Sequence, residues 1–417
     1  MSNVRISPSA LCGKVNLPAS KSVAHRVLIC AALAGGKSEI KPFCTSRDIY
    51  ATVCALKALG AQIKEGKTGY TVQGINPKSG VKLNCFESGS TARFLLPVAA
   101  ALGADAQFIG EGRLPQRPFD CLCEVLRQNG VTCGSNKLPI DISGRFKGEH
   151  FTLPGNVSSQ YISGILMAAP LMGCDVTVEI KGRLESEPYV EMTVAVMGQF
   201  GVKVERFSSG YFVKGGQKYI PQKVKIEADW SAAAFFMSAA ALGGEVALSG
   251  LNFASAQGDM AALDVFAAFG AEISIVSDTL FVKKGKELRG ITVCAEQIPD
   301  MVPAIAATAA FAKGETKITG AARLRLKESD RIATVCAALK AMGVGVTEGE
   351  DSITIVGGKA FGGKIDGAND HRIVMAFSVA AAYCEGETEI TCSEAVTKSY
   401  PEFFRDFTKI GGKVNEF

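Results

Sequence analysis

Residues 81–130 read VKLNCFESGSTARFLLPVAAALGADAQFIGEGRLPQRPFDCLCEVLRQNG, and this stretch decides the fold. It begins with a short alternating segment, Val81–Cys85, of the kind that forms a strand. A polar cluster then precedes an alanine-rich apolar run that ends at Gly103, and a glycine in this place is a common helix stop. A second strand-like segment and an amphipathic helix-like run follow, and that run ends at Gly130. The stretch therefore predicts the order β-α-β-α.

The same pattern recurs along the whole chain. Amphipathic runs end at six glycines, namely Gly60, Gly130, Gly201, Gly270, Gly343 and Gly411. Alanine-rich runs end at a second series, namely Gly36, Gly103, Gly173, Gly243, Gly314 and Gly386. The first strands of the repeats are expected at Lys14–Leu17, Val81–Cys85, Phe151–Leu153, Val224–Glu227, Ile291–Cys294 and Lys364–Asp366. Two independent markers with one period of about 70 residues indicate six repeats. Each repeat closes with a hairpin, such as Ala61–Lys64 with Tyr70–Gln73, so the unit is βαβαββ.

The sixth repeat is incomplete, because only six residues follow Gly411. Val4–Ser7 has the pattern of the missing strand, so we expect the N-terminus to pair with the C-terminal half. This predicts an α/β protein of two lobes with three repeats each. One lobe is continuous and comprises residues 14–227; the other combines residues 1–13 with 228–417. A chain of 417 residues suits two domains of about 200.

Composition favours a globular enzyme of the cytoplasm. Apolar residues make up 47% of the chain and charged residues 21%, which is enough apolar surface for a full core. The alanine-rich runs are too short for the roughly 20 apolar residues of a membrane span, and residues 1–15 lack the apolar core of a signal peptide. Thirteen scattered cysteines fit free thiols in a reducing compartment. Three histidines without metal-ligand spacing and a net charge of +4 predict neither a metal site nor a nucleic-acid partner.

The starts of the six alanine-rich helices carry most of the unusual polar residues. They are Ser20-Lys21-Ser22, Gly89-Ser90-Thr91, Ser158-Ser159-Gln160, Asp229-Trp230-Ser231, Pro299-Asp300-Met301 and Asp370-His371-Arg372. Ordinary helix capping accounts for many of these residues, and for Asp229 and Ser231 it is the preferred interpretation. Capping does not account for cations within the first turns, namely Lys21, Arg26, Arg93 and Arg372, since a helix N-terminus is already positive. Together they indicate sites for anions.

Further basic residues lie in the connecting segments, namely Arg113, Arg117, Arg323, Arg325, Lys327, Arg331 and Lys398. Arg323, Arg325 and Lys327 alternate with leucines as in a strand, which would place the three cations on one side. We expect a basic cleft between the lobes that binds a small polyanion. Asp300 and Glu328 would lie in this cleft, either as structural partners of the cations or as an acid and a base.

These motifs resemble the 5-enolpyruvylshikimate-3-phosphate synthases, a family of enolpyruvyl transferases. The resemblance runs through the whole chain, and its most specific parts are Lys327-Glu-Ser-Asp-Arg331 and Asp370-His-Arg372. The other matching motifs are Leu17-Pro-Ala-Ser-Lys-Ser-Val-Ala-His-Arg26, Glu87-Ser-Gly-Ser-Thr-Ala-Arg93, Leu114-Pro-Gln-Arg-Pro118, Val157-Ser-Ser-Gln160, Glu185-Ser-Glu-Pro-Tyr189, Ile298-Pro-Asp300 and Lys398-Ser-Tyr-Pro401.

The resemblance implies transfer of the enolpyruvyl group of phosphoenolpyruvate to the 5-hydroxyl of shikimate 3-phosphate, with release of phosphate. It implies a fold of two inside-out α/β barrels, each with three βαβαββ repeats. It also implies that the enzyme needs no metal or organic cofactor, binds small-molecule substrates only, and acts as a monomer. The family inhibitor glyphosate occupies the phosphoenolpyruvate site.

Residue roles follow from the matching positions. The resemblance assigns proton transfer to Asp300, Glu328 and Lys21, without deciding which residue performs which step. It assigns shikimate 3-phosphate binding to Lys21, Ser22, Arg26, Ser158, Ser159, Gln160, Ser186, Tyr189, Asp300, Arg323 and Lys327. It assigns phosphoenolpyruvate binding to Lys21, Gly89, Arg117, Gln160, Arg331, Arg372 and Lys398.

The chain departs from the family pattern near Gly89, where Glu87 and Phe94 stand in place of the Asn and Pro of many members, and at Arg323, where some have Asn. A sister family, the UDP-N-acetylglucosamine enolpyruvyltransferases, is the alternative enzyme. It carries a reactive cysteine in the loop after the second-repeat helix, and residues 105–120 contain no cysteine here. A catalytically inactive binding protein on the same scaffold is the alternative of another class, and the presence of both acids argues against it.

Overall fold

The computed structural model describes residues 2–417 and contains, within these residues, 24 β-strands and 12 α-helices. The strands are β1 Val4–Ser7, β2 Cys12–Asn16, β3 Lys37–Lys41, β4 Gln62–Gly66, β5 Gly69–Gln73, β6 Val81–Asn84, β7 Ala106–Ile109, β8 Val131–Cys133, β9 Ile140–Gly144, β10 His150–Pro154, β11 Val176–Lys181, β12 Val204–Phe207, β13 Gly210–Val213, β14 Lys223–Lys225, β15 Glu245–Ser249, β16 Glu272–Val276, β17 Thr279–Lys283, β18 Thr292–Cys294, β19 Glu315–Thr319, β20 Gly345–Glu348, β21 Ile353–Val356, β22 Lys364–Ile365, β23 Thr388–Ile390 and β24 Lys413–Glu416.

The helices alternate with these strands as the repeat predicts. They are α1 Lys21–Leu33, α2 Arg47–Ala58, α3 Gly89–Leu102, α4 Asp120–Gln128, α5 Ser159–Ala168, α6 Glu187–Gln199, α7 Trp230–Leu242, α8 Ala262–Phe269, α9 Val302–Ala309, α10 Arg331–Ala341, α11 His371–Ala381 and α12 Phe403–Lys409. Short 3-10 segments add Leu114–Gln116, Ala169–Leu171, Gly258–Ala261, Pro299–Met301, Ala322–Leu326 and Ser393–Lys398. No helix in the described part of the chain is long and apolar enough to cross a membrane.

The strands form six four-stranded sheets with one shared topology. In the second repeat, β6 pairs in parallel with β7, β7 pairs antiparallel with β9, and β8 forms the edge beyond β9. The parallel pair is joined by the alanine-rich helix, as parallel strands require a crossover, and the last two strands form the hairpin. The predicted six repeats of the order βαβαββ are thereby confirmed.

The chain divides into two compact units. The continuous unit is Ala19–Ile226, and the discontinuous unit combines the residues up to Pro18 with Glu227–Phe417. Each unit contains three of the six sheets. In the discontinuous unit β1 lies between β23 and β24, with Val4 opposite Ile390 and Glu416, so the predicted role of Val4–Ser7 is confirmed.

Two strands belong to other sheets than the sequence pattern indicates. β2 pairs in parallel with β15 of the fourth repeat, and β14 pairs in parallel with β3 of the first repeat. The assignment of Lys14–Leu17 to the first repeat and of Val224–Glu227 to the fourth was therefore wrong. Both segments have the same alternating pattern, and only tertiary pairing decides which sheet each one completes.

Buried helices form the core of each unit. In the discontinuous unit α7, α9 and α11 contact one another, and their side chains are almost all buried. In the continuous unit α3 packs closely on α5, where a Cβ at Gly164 would lie 2.6 Å from the carbonyl oxygen of Arg93. The six glycines after the amphipathic helices have φ between 73° and 109°, which L side chains rarely adopt. The packing of α7, α9 and α11, and of α3 on α5, holds in place the helix starts that carry the candidate site.

Candidate active site

Lys21 is the first residue of α1 and forms an ion pair inside the continuous unit. Ser20 caps the helix by accepting a hydrogen bond from the Val23 amide. The Lys21 ammonium lies 2.8 Å from a carboxylate oxygen of Asp48, and both side chains are only about one-eighth exposed, at 13% and 12%. Asp48 lies in the first turn of α2, where a negative charge is favoured. Lys21 is thus held in place at a helix start that itself attracts anions.

Arg26, one turn further along α1, joins α1 to α6. Its Nη1 donates to the Ser22 carbonyl at 2.7 Å, its Nη2 to the Tyr189 carbonyl at 2.8 Å, and its Nε to the Thr193 hydroxyl at 2.7 Å. Burial lowers the pKa of Arg26 to about 10. Because three of its five donors are used inside the protein, Arg26 orients Ser22 and Tyr189.

The start of α3 is closely covered by Arg117. Ser88 caps the helix through the Thr91 amide, and Gly89 is its first residue. A Cβ at Gly89 would lie 2.7 Å from Nη1 of Arg117 and 3.1 Å from its Cζ. Arg117 is buried, with 7% of its surface exposed. A buried guanidinium against a helix N-terminus places two positive features together, and an anion bound there would contact both.

The start of α5 carries Ser158 and Gln160. Ser158 caps the helix by accepting from the Gln160 amide, and Ser159 beside it is buried. The Gln160 side chain accepts from Arg93 at 2.9 Å and donates to the Ser90 hydroxyl at 2.9 Å. Both ends of this amide are therefore fixed by α3.

Ser186 stands at the start of α6 in a left-handed conformation with φ of 54°. The residue is 2% exposed, and its carbonyl accepts from the Tyr189 amide at 3.1 Å. Pro188 occupies the first turn, where its fixed φ favours the helix. A strained residue in a capping position is a common feature of ligand sites.

Asp300 in the discontinuous unit lies among three cations. It belongs to the 3-10 segment that precedes α9. Its Oδ1 accepts from Arg331 at 2.9 Å and from Lys327 at 3.4 Å, and its Oδ2 accepts from Arg372 at 2.8 Å. Nη1 of Arg372 also reaches the Asp300 carbonyl at 3.3 Å. The Asp300 side chain keeps 14% of its surface exposed.

Arg331 connects three carboxylates. Besides Asp300, it contacts Glu328 at 2.7 Å and Asp370 at 2.8 Å, and its side chain is 1% exposed. Burial alone would lower the pKa of Arg331, but Asp370, Glu328 and Asp300 outweigh it and hold the pKa above its usual value. One guanidinium thus fixes the predicted acid and base next to each other.

Asp370 is the most buried of these carboxylates. It caps α11 by accepting from the Arg372 amide at 3.0 Å, and it accepts from the Ser329 hydroxyl at 3.0 Å. The neighbouring residues Ala368 and Asn369 both have φ of 49°. The Asn369 carbonyl accepts from the buried ammonium of Lys398 at 2.6 Å. Lys398 and Arg372 are therefore held by the same helix start.

Lys327 is a lysine with a lowered pKa. Burial lowers the pKa of Lys327 to about 8, although Asp300 acts in the opposite direction. Arg331 and Arg323 lower it further, so Arg323 lies close enough to act on Lys327 electrostatically.

The predicted strand over Arg323, Arg325 and Lys327 was wrong, because Ala322–Leu326 is a 3-10 segment. Leu324 is buried there while Leu326 is 46% exposed, so the leucines do not share a face. Arg325 forms ion pairs with Asp330 and Glu348, each at 3.0 Å, whereas the Lys327 ammonium pairs with Asp300.

Asp259 is a buried carboxyl group near this cluster. Its Oδ2 accepts a hydrogen bond from the Ser231 hydroxyl at the start of α7. Burial raises the pKa of Asp259 to about 7, Asp300 raises it further, and Arg372 opposes the change. Among residues 2–417 no group of three or more His, Cys, Asp or Glu side chains could hold a metal ion.

The predicted site residues all fall into two groups, one in each unit. The first, in the continuous unit, contains Lys21, Ser22, Arg26, Gly89, Arg117, Ser158, Ser159, Gln160, Ser186 and Tyr189. The second, in the discontinuous unit, contains Asp300, Arg323, Lys327, Glu328, Arg331, Arg372 and Lys398. Sequence reasoning assigned no role to Asp48, Asp259 and Asp370, and it named Arg93 only as one of the cations at helix starts. Asp370 is the N-cap of α11, and Asp48 lies in the first turn of α2. Their positions at helix starts could have indicated that both residues belong to the site.

Comparison with known proteins identifies the family of this chain. The family profile of EPSP synthase (3-phosphoshikimate 1-carboxyvinyltransferase) matches residues 6–407. The 3-phosphoshikimate 1-carboxyvinyltransferases of Clostridium acetobutylicum and Clostridium kluyveri are each 40% identical to this chain, over 100% of it and 99% of their own length. The structure of EPSP synthase from Acinetobacter baumannii superimposes with a TM-score of 0.84 at 28% identity, over 100% of both chains.

The enolpyruvyl transferase NikO from Streptomyces tendae shares the fold, with a TM-score of 0.82 at 18% identity over 100% of this chain and 99% of its own. At that identity the likeness concerns the fold alone. The full-length matches at 40% identity and the family profile decide the assignment. The chain belongs to the EPSP synthase (3-phosphoshikimate 1-carboxyvinyltransferase) family.

Proposed function

We propose that this enzyme transfers the enolpyruvyl group of phosphoenolpyruvate to the 5-hydroxyl of shikimate 3-phosphate and releases phosphate. The observation that carries the proposal is the Arg331 guanidinium, which holds Asp300 at 2.9 Å and Glu328 at 2.7 Å beside further cations. The reaction needs an acid and a base among positive charges, because both substrates are anions and one proton must leave the hydroxyl while another reaches a carbon.

The steps balance with these groups. The 5-hydroxyl oxygen bonds to C2 of phosphoenolpyruvate, its proton passes to Asp300, and C3 gains a proton from Glu328 or Lys21. Phosphate then leaves C2 and takes up the proton held by Asp300, and C3 returns a proton to Glu328 or Lys21, which restores the double bond. Fixed cations stabilise the charge of the leaving phosphate and cost no reorganisation during the reaction.

Substrate contacts are proposed for both groups of residues. Ser22, Arg26, Ser158, Ser159, Gln160, Ser186, Tyr189, Arg323 and Lys327 would bind shikimate 3-phosphate, together with Lys21 and Asp300. Gly89, Arg117, Gln160, Arg331, Arg372 and Lys398 would bind phosphoenolpyruvate, together with Lys21. The buried hydroxyls at the start of α5 support the first assignment, since helix N-termini bind phosphate. The contact of Gly89 with Arg117 supports the second. The expected cleft between the lobes stays a prediction.

A phosphate-release assay tests the reaction. Purified enzyme should release phosphate from phosphoenolpyruvate when shikimate 3-phosphate is present and should not do so without it. Excess EDTA should leave the rate unchanged. Turnover with UDP-N-acetylglucosamine in place of shikimate 3-phosphate, or dependence on a divalent metal, would contradict the proposal.

We also propose that the enzyme acts as a monomer in the cytoplasm. All thirteen cysteines are free thiols, and eleven of them are buried or half-buried, which suits a reducing compartment. Light scattering coupled to size exclusion should give the mass of one chain, 43.8 kDa. Fractionation of the producing cell should place the enzyme in the cytoplasmic fraction.

A further inference from the structure

Both carboxylate oxygens of Asp300 are taken by cations of the protein itself. Arg331 and Lys327 bind Oδ1, and Arg372 binds Oδ2 at 2.8 Å. Two of these cations, Arg331 and Arg372, are assigned above to the donor phosphoenolpyruvate. Asp300 therefore occupies positions around these cations that a carboxylate or phosphate of a ligand would need.

Asp300 can separate from its cationic partners more easily than Asp370 can. Asp370 is fully buried and also accepts from the Ser329 hydroxyl and the Arg372 amide, which would lose their acceptor if it moved. Asp300 lies on a 3-10 segment with 14% of its side chain exposed, so water can solvate it when a cation is withdrawn. Of the two carboxylates, Asp300 is the one that a ligand anion can replace beside the cations.

We propose that Asp300 is the resident counter-ion of this anion site, and that the anionic groups of the donor displace it from Arg331 and Arg372. This rests on the proposed function and concerns how the same site is regulated. A carboxylate surrounded by cations takes up a proton with difficulty, because the cations favour its charged form. Once a ligand anion binds those cations, its negative charge favours protonation of Asp300. Asp300 thus becomes an effective base only when the donor is bound.

The inference predicts that removing the acid strengthens anion binding. Asp300→Asn keeps the size of the side chain and removes the competing charge, and Asp300→Ala removes the whole group. Either variant should bind inorganic phosphate and phosphoenolpyruvate about tenfold more tightly than the wild type, the effect of one charged hydrogen bond no longer competing. Titration calorimetry near pH 7, where Lys327 is charged, measures both affinities.

Glu348→Gln is the matched control. It also removes a carboxylate from an arginine of the same unit, since Glu348 contacts Arg325 at 3.0 Å, but Arg325 has no part in the proposed site. Its phosphate affinity should equal that of the wild type. Thermal unfolding of each variant identifies any loss of structure. Asp300→Asn and Asp300→Ala both remove the charge of Asp300, so each tests the inference independently of the other.

The outcomes separate the inference from the proposed function. Unchanged or weaker phosphate binding in both Asp300 variants overturns the inference, and so does a gain of equal size in Glu348→Gln. Tighter binding in the Asp300 variants supports it, whether or not the wild type turns over shikimate 3-phosphate. Failure of the proposed function would instead appear as absent turnover by the wild type.

Discussion

Asp300 occupies the position of a base, and its replacement tests that role. Asp300→Ala should lower kcat by roughly 10²-fold or more, the usual effect of losing a general base. Shikimate 3-phosphate binding should remain largely intact, because the hydroxyls of Ser158 and Ser159 do not depend on Asp300. Steady-state kinetics together with calorimetry of acceptor binding check both parts. A kcat near the wild-type value would reduce Asp300 to a structural partner of its three cations.

Gly89 leaves room for the Arg117 guanidinium. In Gly89→Ala the new methyl group would lie 2.7 Å from Nη1, so Arg117 has to move. We expect the affinities for phosphoenolpyruvate and for glyphosate to fall, and that for glyphosate to fall more, because its longer chain needs more of the space beside Arg117. The inhibition constant of glyphosate and the KM of phosphoenolpyruvate, measured on the same preparation, show which of the two falls further in affinity.

Gly198 provides the control for that experiment. It lies within α6, and an added Cβ would meet nothing within 4 Å. Gly198→Ala should leave the inhibition constant of glyphosate and the KM of phosphoenolpyruvate unchanged. Equal glyphosate inhibition of Gly89→Ala and wild type would show that Gly89 lies outside the donor site.

Lys327 should make acceptor binding depend on pH. Its lowered pKa of about 8 means that the ammonium is charged at pH 7 and loses its proton as pH rises through 8. Binding of shikimate 3-phosphate should therefore weaken between pH 7 and pH 9. Lys327→Arg stays charged over this range and should flatten the profile. The same pH profile for both proteins would exclude Lys327 as the titrating group.

The network around Arg331 could be predicted only in part. The basic run 323–331 and the resemblance to a known family marked Asp300, Glu328 and Arg331 as residues of one site. The sequence could not show that the Arg331 guanidinium connects three carboxylates, because Asp300 and Asp370 lie 31 and 39 residues away from it in the chain. The strand predicted over Arg323–Lys327 failed because the ion pairs of Arg325 with Asp330 and Glu348 override the alternation.

At the level of elements, the 3-10 segment Gly258–Ala261 places the buried carboxyl group of Asp259 against the start of α7, and this carboxyl group costs stability. The pKa of Asp259 rises from 3.8 to about 7 because burial, and then Asp300, disfavour its charged form. The folded state binds this proton more tightly than the unfolded state, so the cost is absent below pH 3.8, grows as pH rises, and is complete above pH 7. Asp259→Asn can still accept from Ser231 and should raise the melting temperature more at pH 8 than at pH 5.

The control for this comparison is Asp264→Asn, on the exposed side of the neighbouring helix α8. Its melting temperature should follow that of the wild type at both pH values. A stabilisation by Asp259→Asn that is equal at pH 5 and pH 8 would show that the carboxyl group does not titrate in this window.

Element order was predictable because its signals are local. Polar caps such as Ser88 and stops such as Gly130 act through their own backbone neighbours, and both occur where the sequence places them. Strand partners are not local. β2 and β14 have equivalent patterns, and their exchange between the first and fourth repeats depends on contacts more than 180 residues apart in the chain, such as Lys223 with Glu39.

At the scale of the whole molecule, the continuous unit contains every strand of its three sheets. A fragment of residues 19–226 should therefore fold by itself and unfold cooperatively. A fragment of residues 19–222 lacks β14 and leaves β3 as an exposed edge, so its melting temperature should be lower, by roughly 2–4 °C for each kcal/mol lost. Circular dichroism melting of both fragments checks this, and equal melting temperatures would mean that β14 adds nothing.

The pairing of β1 and β2 with distant partners also has a consequence during protein synthesis. β1 needs β23 and β24, which end at Glu416, and β2 needs β15. At about 5–20 residues per second, a ribosome takes roughly 20–80 s to make 417 residues. The continuous unit can complete its sheets near the midpoint of translation. β1 precedes every other described strand in the chain but cannot enter its sheet before β23 and β24 are made, whereas β2 has to wait only for β15. Until then their backbone groups are exposed to other nascent chains and to chaperones.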